Sequence, residues 1–245
     1  MIEISTENKL VPKRGQSQSK SFGIVFLLPQ RLVKFLVLTE IVLLAANLAG
    51  FLWGYILPGD SLIAKALFNF FNFDREQNIP AYFSTVLLLF ISALLFLTYL
   101  LKKSEARNKG SRHWLFLSLV FLFLSVDENI QIHEPLGRAV KGVFPTGVSD
   151  YILWAWVLPY ALLFLGVAAY LSKFVLSLPK RTRNLFILSG LLYVAGAIGL
   201  DVLQGQFHSS MTYNRIFYTI EELMEMMGAI LFIHALLQYL AGHNA

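Results

Sequence analysis

A group of polar residues interrupts an apolar stretch near the middle of the sequence. The stretch beginning at Phe121 is hydrocarbon for four residues, and six polar residues then fall within eight positions: Asp127, Glu128, Asn129, Gln131, His133 and Glu134. An ionisable group at membrane depth predicts a functional site. Carboxylates and imidazoles bind metal ions or transfer protons. Asp127, Glu128 and the later Glu225 are therefore the predicted catalytic acid–base residues.

Further acids follow towards the C-terminus. Glu221 and Glu225 share one helical face by their i, i+4 spacing, and Asp127, Gln131 and Glu134 would share one stripe of an earlier helix. The predicted metal ligands are the acids of both groups, Asp201 and one histidine: Asp127, Glu128, His133, Glu134, Asp201, Glu221, Glu222 and Glu225. Such a carboxylate-rich set favours Fe, Mn, Mg or Ca over structural zinc.

Composition places these residues in a membrane. Hydrophobic residues make up 56% of the 245 positions and charged residues 14%, whereas soluble domains carry about 25% charged residues. Several apolar runs reach the ~20 residues of a membrane-spanning helix. The sequence therefore predicts an all-α polytopic membrane protein whose partner is the lipid bilayer and not nucleic acid. The absence of cysteine excludes disulfides and a thiol nucleophile.

Six spans are predicted, at about 32–56, 81–101, 114–134, 151–175, 184–204 and 217–240. Residues 1–31 would form a tail with an interfacial segment at 22–28, residues 32–240 the transmembrane domain, and residues 241–245 a short tail. Pro135 should end the third span, and 136–148 should be a connection. Apolar residues at helical spacing predict an amphipathic helix on the membrane at Leu62–Phe71.

The basic residues predict an orientation. Fifteen of the 20 Lys and Arg residues lie on one side of the six predicted spans, and the positive-inside rule makes that side cytoplasmic. Both termini are then cytoplasmic, in a bacterial inner membrane or a thylakoid-type membrane, and the acids lie in the outer leaflet. Glu40 and His234 fall near the cytoplasmic leaflet, where they could form a second polar pair.

Depth predicts that the acids converge. At about 1.5 Å per residue, the third, fifth and sixth spans bring their carboxylates to the same outer-leaflet level. So many carboxylates in a low dielectric cannot all stay ionised, so that either some are protonated or a cation neutralises them. A hydrated divalent metal at such a site would activate water.

Two strings of this sequence resemble a known pattern. They are Ser125-Val-Asp-Glu-Asn-Ile-Gln-Ile-His-Glu134 and Glu221-Glu-Leu-Met-Glu-Met-Met-Gly228. The chain is similar, from its third span onwards, to an uncharacterised bacterial family of multi-pass membrane proteins with S-x-D-E-x4-H-E followed by E-E-x2-E-M-x-G. This resemblance implies a helical membrane fold and no particular activity.

Three functions fit these features. The first is a metal-dependent enzyme acting on a lipid or lipophilic substrate. The second is a proton- or cation-coupled transporter or channel, and the third an accessory or assembly subunit of a larger membrane complex. Phosphate-binding loops, nucleophile elbows and zinc-protease motifs are absent from the sequence, which disfavours ATP-driven transport, serine hydrolysis and zincin chemistry.

Overall fold

The computed structural model describes residues 15–56, 62–104, 110–143, 157–200 and 211–243, and within these ranges it is helical with short connections. The helices in chain order are α1 (Gly15–Ile56), α2 (Leu62–Phe71), α3 (Ile79–Lys103), α4 (Ser111–Ile130), α5 (His133–Val143), α6 (Val157–Ser177), α7 (Lys180–Val194) and α8 (Met211–His243). A π-helix, Ala195–Leu200, continues α7. The all-α prediction is confirmed.

Six segments within the described ranges are long and apolar enough to cross a membrane. They are Pro29–Leu52 of α1, then α3, α4, α6, Lys180–Leu200 and Tyr213–Gly242, with mean hydropathies between 1.3 and 2.3. Their apolar side chains point outwards as well as inwards, as expected where lipid replaces water as the solvent. The protein is therefore an integral membrane protein with six candidate spans, and the prediction of α2 as a helix is also confirmed.

The first helix is longer than the sequence suggested. The expected interfacial segment at 22–28 and the span beginning at 32 are parts of one helix, α1, which continues through Pro29. A proline removes one backbone hydrogen bond, and the apolar residues on both sides of Pro29 favour helix strongly enough to continue it. The assignment of residues 1–31 to a separate tail stays a prediction, and residues 1–14 lie outside the described residues.

The predicted end of the third span was wrong. Helix α4 ends at Ile130, because Gln131 adopts a left-handed conformation with φ of 59°. Pro135 lies in the first turn of the next helix, α5, where its missing N–H costs nothing. The stretch from 136 to 143 is therefore helical and not a loop. The predicted stripe of Asp127, Gln131 and Glu134 does not exist, since the three residues no longer belong to one helix.

Helices α3 and α4 pack antiparallel through serine hydrogen bonds. The hydroxyl of Ser92 donates to the Ser118 carbonyl at 2.8 Å, and the hydroxyl of Ser118 donates to the Ser92 carbonyl at 2.9 Å. Two turns along, the Ser125 hydroxyl donates to the carbonyl of Thr85 at 3.0 Å. Small polar residues at these positions let the two backbones approach closely, and these bonds fix the register of the pair.

Helix α8 lies at the centre of the bundle, against α1, α3 and α7. Two glycines allow its contact with α7 and the π-helix. A Cβ on Gly228 would lie 2.9 Å from the Tyr193 nitrogen, and one on Gly196 would lie 2.9 Å from the Glu221 carbonyl oxygen. The expectation that Gly228 makes room for a neighbouring backbone is confirmed. Around them, Met226, Ile233 and Leu236 are completely buried.

An amide bridge joins α1, α8 and the segment after α2. The side chain of Asn47, which is 2% exposed, donates to the Thr219 hydroxyl at 3.2 Å and accepts from the backbone N–H of Phe73, also at 3.2 Å. The bridge shows that the C-terminal part of α1 lies beside the N-terminal part of α8. The two helices therefore run antiparallel.

Candidate functional site

The site is built on a kink between α4 and α5. The Asp127 carboxylate, near the end of α4, accepts the backbone N–H of His133 through Oδ1 at 2.9 Å. Its Oδ2 lies 3.3 Å from Nδ1 of the His133 ring. Asp127 thus caps α5, whose first N–H groups have no partner within the helix. The same contact orients the imidazole and points Nε2 away from Asp127.

Two further residues complete this part of the site. Nε2 of His133 lies 3.8 Å from Oε1 of Glu76, which belongs to the connection between α2 and α3. The Tyr160 ring of α6 stands edge-on to the imidazole, with 6.3 Å between ring centroids, and its hydroxyl interacts with Asp127. A carboxylate therefore lies on each side of the imidazole. This arrangement is typical of a group that binds and releases a proton.

The surroundings shift the pKa values of both partners of this contact. Burial lowers the pKa of His133, but the hydrogen bond that its ring makes to Asp127 and the charges of Asp127, Glu76 and Glu128 outweigh it, so that the pKa lies above its usual 6.5. Burial also raises the pKa of Glu76 above 4.5; His133 opposes this rise, and the charges of Glu134 and Asp127 add to it. Both groups therefore keep a proton to a higher pH than a free histidine and a free glutamate do.

A second part of the site lies deeper in the bundle. Glu222 of α8 interacts electrostatically with Glu128 of α4, with its neighbour Glu225 and with Glu76. The Tyr193 hydroxyl of α7 is hydrogen-bonded to Glu225 and interacts electrostatically with Glu128 and Glu222. Helices α4, α7 and α8 thus bring four ionisable groups together, and Glu76 links them to His133.

Several predicted ligands lie elsewhere or outside the described residues. Glu134 forms an exposed pair with Arg138 at 2.9 Å, four residues later on α5. Oε2 of Glu221 is buried, and its backbone carbonyl faces Gly196. Asp201 lies outside the described residues. Within the part of the chain that the structure describes, no three His, Asp or Glu side chains are arranged to hold a metal ion.

An apolar groove adjoins the deeper acids. It has a volume of about 430 Å³ and lies between α4, α6, α7 and α8. Leu117, Phe121 and Leu124 form its α4 wall, and Tyr193 belongs to its α7 wall. Lining residues on α6 and α7 are strongly exposed, among them Leu191 at 60%. The groove therefore opens sideways from the bundle, towards the lipid.

Sequence reasoning missed three residues of this site: Glu76, Tyr160 and Tyr193. Glu76 stands in a polar connection, where a carboxylate is ordinary, and the two tyrosines belong to apolar spans in which aromatic residues are common. One available signal was the position of Glu76 four residues before Pro80, which marked it as close to the membrane entry of α3. The tyrosines carried no signal of their own.

The predicted pair of Glu40 and His234 is not formed. The His234 ring is within 2.7 Å of the Gln238 side chain, one turn along α8. The Asn47–Thr219 contact sets the antiparallel register, which places Glu40 level with Met226. His234 is eight residues further along α8, or about 12 Å at the rise of a helix. Glu40 itself is 2% exposed, and its Oε2 has no hydrogen-bond partner in the part of the chain that the structure describes.

Comparison with known proteins identifies a family but no activity. No curated protein matches the chain, and no solved structure matches it either. Residues 35–240 match a domain of unknown function, DUF8692, which covers the whole site described above and all but the N-terminal end of the first candidate span and the C-terminal end of the last. The chain therefore belongs to the DUF8692 family.

Proposed function

We propose that this protein is a membrane-embedded enzyme that performs acid–base chemistry on a lipophilic substrate. The observation that carries the proposal is the position of Tyr193. This residue lines the apolar groove and is also hydrogen-bonded to Glu225. A hydrocarbon chain lying in the groove would thus bring the polar end of the molecule to the carboxylates.

The groups around the groove have complementary roles in this proposal. Glu225 and Tyr193 act on the substrate as the proton-transferring pair, with Glu128 and Glu222 beside them. The Asp127–His133–Glu76 arrangement connects the buried acids to the surface, because the Glu76 side chain is 41% exposed. Positioned general acids and bases accelerate reactions by about 10²–10⁴-fold. The proposal includes no metal ion, because the candidate metal-binding side chains among the described residues do not converge.

We also infer the orientation and the membrane. The lysines and arginines of 102–103 and 180–183 lie at the end of the bundle opposite to Glu76 and His133, as the directions of α3 and α7 require. By the positive-inside rule that end faces the cytoplasm, and the acids face outwards. The motif resemblance to a bacterial family favours a bacterial inner membrane, with a thylakoid-type membrane as the alternative.

The test uses two matched glycines. Cβ atoms on Gly190 and Gly166 would both meet open space, but only Gly190 lines the groove. Wild type, Gly190→Phe, Gly166→Phe and Glu225→Gln would be placed in nanodiscs with a total lipid extract, and lipid turnover would be followed by mass spectrometry. We expect a lipid species to be converted by wild type and Gly166→Phe, slowly by Gly190→Phe, and about 10²-fold more slowly by Glu225→Gln. Absence of turnover in wild type, or full activity in Gly190→Phe, would contradict the proposal.

Glu40 favours a second candidate, proton-coupled transport. The Glu40 carboxylate lies at the middle of α1, away from the acidic end, is 2% exposed and has no partner for Oε2 among the residues that the structure describes. Such residues often mark proton pathways in membrane proteins. Proteoliposomes with an internal pH-sensitive dye test this function. Proton flux that disappears in Glu40→Gln would support transport, and no flux in wild type would exclude it.

A further inference from the structure

A polar cavity lies beside Glu128 at the acidic end of the bundle. Its volume is about 560 Å³, and it is formed by the connection before α3, the first turns of α3 and the last turn of α4. Its polar walls are contributed by Gln77, Asn78, Tyr82, Thr85, Glu128 and Asn129. We call it the vestibule. It is separate from the apolar groove, which Glu128 does not line.

The α3–α4 register places a carboxylate opposite an aromatic ring. Ser92 faces Ser118 and Thr85 faces Ser125, so the same antiparallel register sets Tyr82 level with Glu128. Tyr82 is 66% exposed, which leaves its ring accessible at the rim of the vestibule. A carboxylate beside an open aromatic face is a favourable environment for an organic cation.

Two other polar side chains of the walls are already engaged within the protein. The Asn78 side chain caps α3 by accepting the Ala81 N–H at 3.1 Å, and it donates to the Asn72 carbonyl at 2.6 Å. The Thr85 hydroxyl donates to the Ala81 carbonyl at 2.9 Å. Glu128 supplies the carboxylate among the described residues of the vestibule wall, and a cationic ligand could pair with it.

The charged groups around Glu128 determine whether the vestibule favours a cationic or an anionic ligand. Glu128 is repelled electrostatically by Glu76 and Asp127 and attracted by His133. Among the charged neighbours of Glu222, Glu128 has the strongest electrostatic effect. Oε2 of Glu222 is buried without a hydrogen-bond partner in the described part of the chain. A phosphate or carboxylate among these acidic groups is unfavourable, whereas a cation stabilises their ionised forms.

The size and position of the vestibule favour an organic cation over a metal ion as its ligand. A cavity of about 560 Å³ is far larger than a metal ion needs, and no three ligands among the described residues converge there. On α4, Glu128 lies on the same stripe as Leu117, Phe121 and Leu124 of the groove, one turn beyond Leu124. A chain in the groove would therefore have its head beside Glu128, about 6 Å further along the helix axis.

We propose that the vestibule receives the ammonium head of a long-chain amine, whose chain lies in the groove. The inference rests on the proposed function, because it names the class of lipophilic substrate. Glu128 pairs with the ammonium group, and Tyr82 offers its ring face to it. The neighbouring Glu222 interacts electrostatically with Glu128 from α8.

The test compares three probes with one chain: octylamine, which is cationic at neutral pH, 1-octanol and octanoate. Binding to the protein in nanodiscs would be measured by equilibrium dialysis, with empty nanodiscs as the blank. We expect wild type to bind octylamine at least about tenfold more tightly than 1-octanol, and octanoate least tightly. Glu128→Gln should reduce the preference for octylamine to about twofold or less. Glu134→Gln removes a nearby acid that is paired with Arg138 outside the vestibule and should keep the preference.

The two proposals fail in different ways. Equal binding of octylamine and 1-octanol by wild type, with both weakened in Gly190→Phe, would overturn the ammonium site and leave the groove in place. A preference for octylamine that survives in Glu128→Gln would also overturn it. No specific binding of any of the three probes would count against both proposals.

Discussion

The imidazole Nδ1 of His133 lies 3.3 Å from Oδ2 of Asp127, while the other oxygen of the same carboxylate accepts the His133 backbone N–H. One buried side chain thus ends a membrane helix, starts the next helix and orients a titratable ring. The two residues are coupled in folding as well as in any chemistry at the site.

This coupling predicts a pH-dependent contribution of His133 to stability. Its folded-state pKa lies above 6.5, so the stabilisation is fully present below the unfolded-state value and is lost as the pH rises through the folded-state value. Thermal unfolding of wild type and His133→Gln in detergent should therefore differ more at about pH 6 than at about pH 9. The same difference at both pH values would contradict the pairing.

Replacing Asp127 separates its two roles. Asp127→Asn keeps an oxygen that can accept the His133 N–H but loses the charge, whereas Asp127→Ala loses both. We expect Asp127→Ala to lower the free energy of unfolding by about 0.5–2 kcal/mol more than Asp127→Asn does, the usual contribution of a helix cap. Denaturant unfolding followed by circular dichroism measures this. Equal losses would show that the cap contributes little.

Close packing of α8 predicts that its glycine contacts do not tolerate a side chain. A Cβ on Gly228 would lie 2.9 Å from the Tyr193 backbone nitrogen, so Gly228→Ala forces the two helices apart. We expect a loss of about 1–3 kcal/mol, the usual cost of overpacking. Gly166→Ala, in open space, is the matched control and should be neutral or slightly stabilising because alanine favours helix. Equal unfolding midpoints for the two variants would contradict the close contact at Gly228.

The Asn47 bridge predicts a graded loss of stability. Asn47→Leu leaves the Phe73 N–H without its acceptor and the Thr219 hydroxyl without its donor, and an unsatisfied buried group costs about 1–3 kcal/mol. Thr219→Val removes only one arm of the bridge and should cost less. Thermal unfolding of the two variants in the same detergent provides the comparison. A larger loss in Thr219→Val would show that Phe73 does not depend on the bridge.

The proposed orientation is testable because the natural chain has no cysteine. Ala139→Cys places a thiol on the exposed side of α5, and Ser104→Cys places one after α3 at the opposite end of the bundle. In intact cells, a membrane-impermeant maleimide should label Ala139→Cys and not Ser104→Cys, with both labelled after lysis. The reverse pattern would place the acidic end in the cytoplasm.

The sequence by itself determined the class of this protein and the number of its spans, because uninterrupted apolar runs leave a chain little choice but to form helices across a bilayer. It also marked Asp127, Glu128, Glu222 and Glu225, since carboxylates are costly inside a membrane. Local pattern was enough for both conclusions.

The tertiary structure decided which of these residues meet. The sequence could not show that α4 breaks at Gln131, because the break depends on a carboxylate that caps the following helix. Nor could it place Glu76 beside His133 or Tyr193 beside Glu225, since each contact joins segments that are distant in sequence. Such contacts depend on register and rotation between packed helices, which are fixed by side-chain packing and by the close approaches at Gly196 and Gly228.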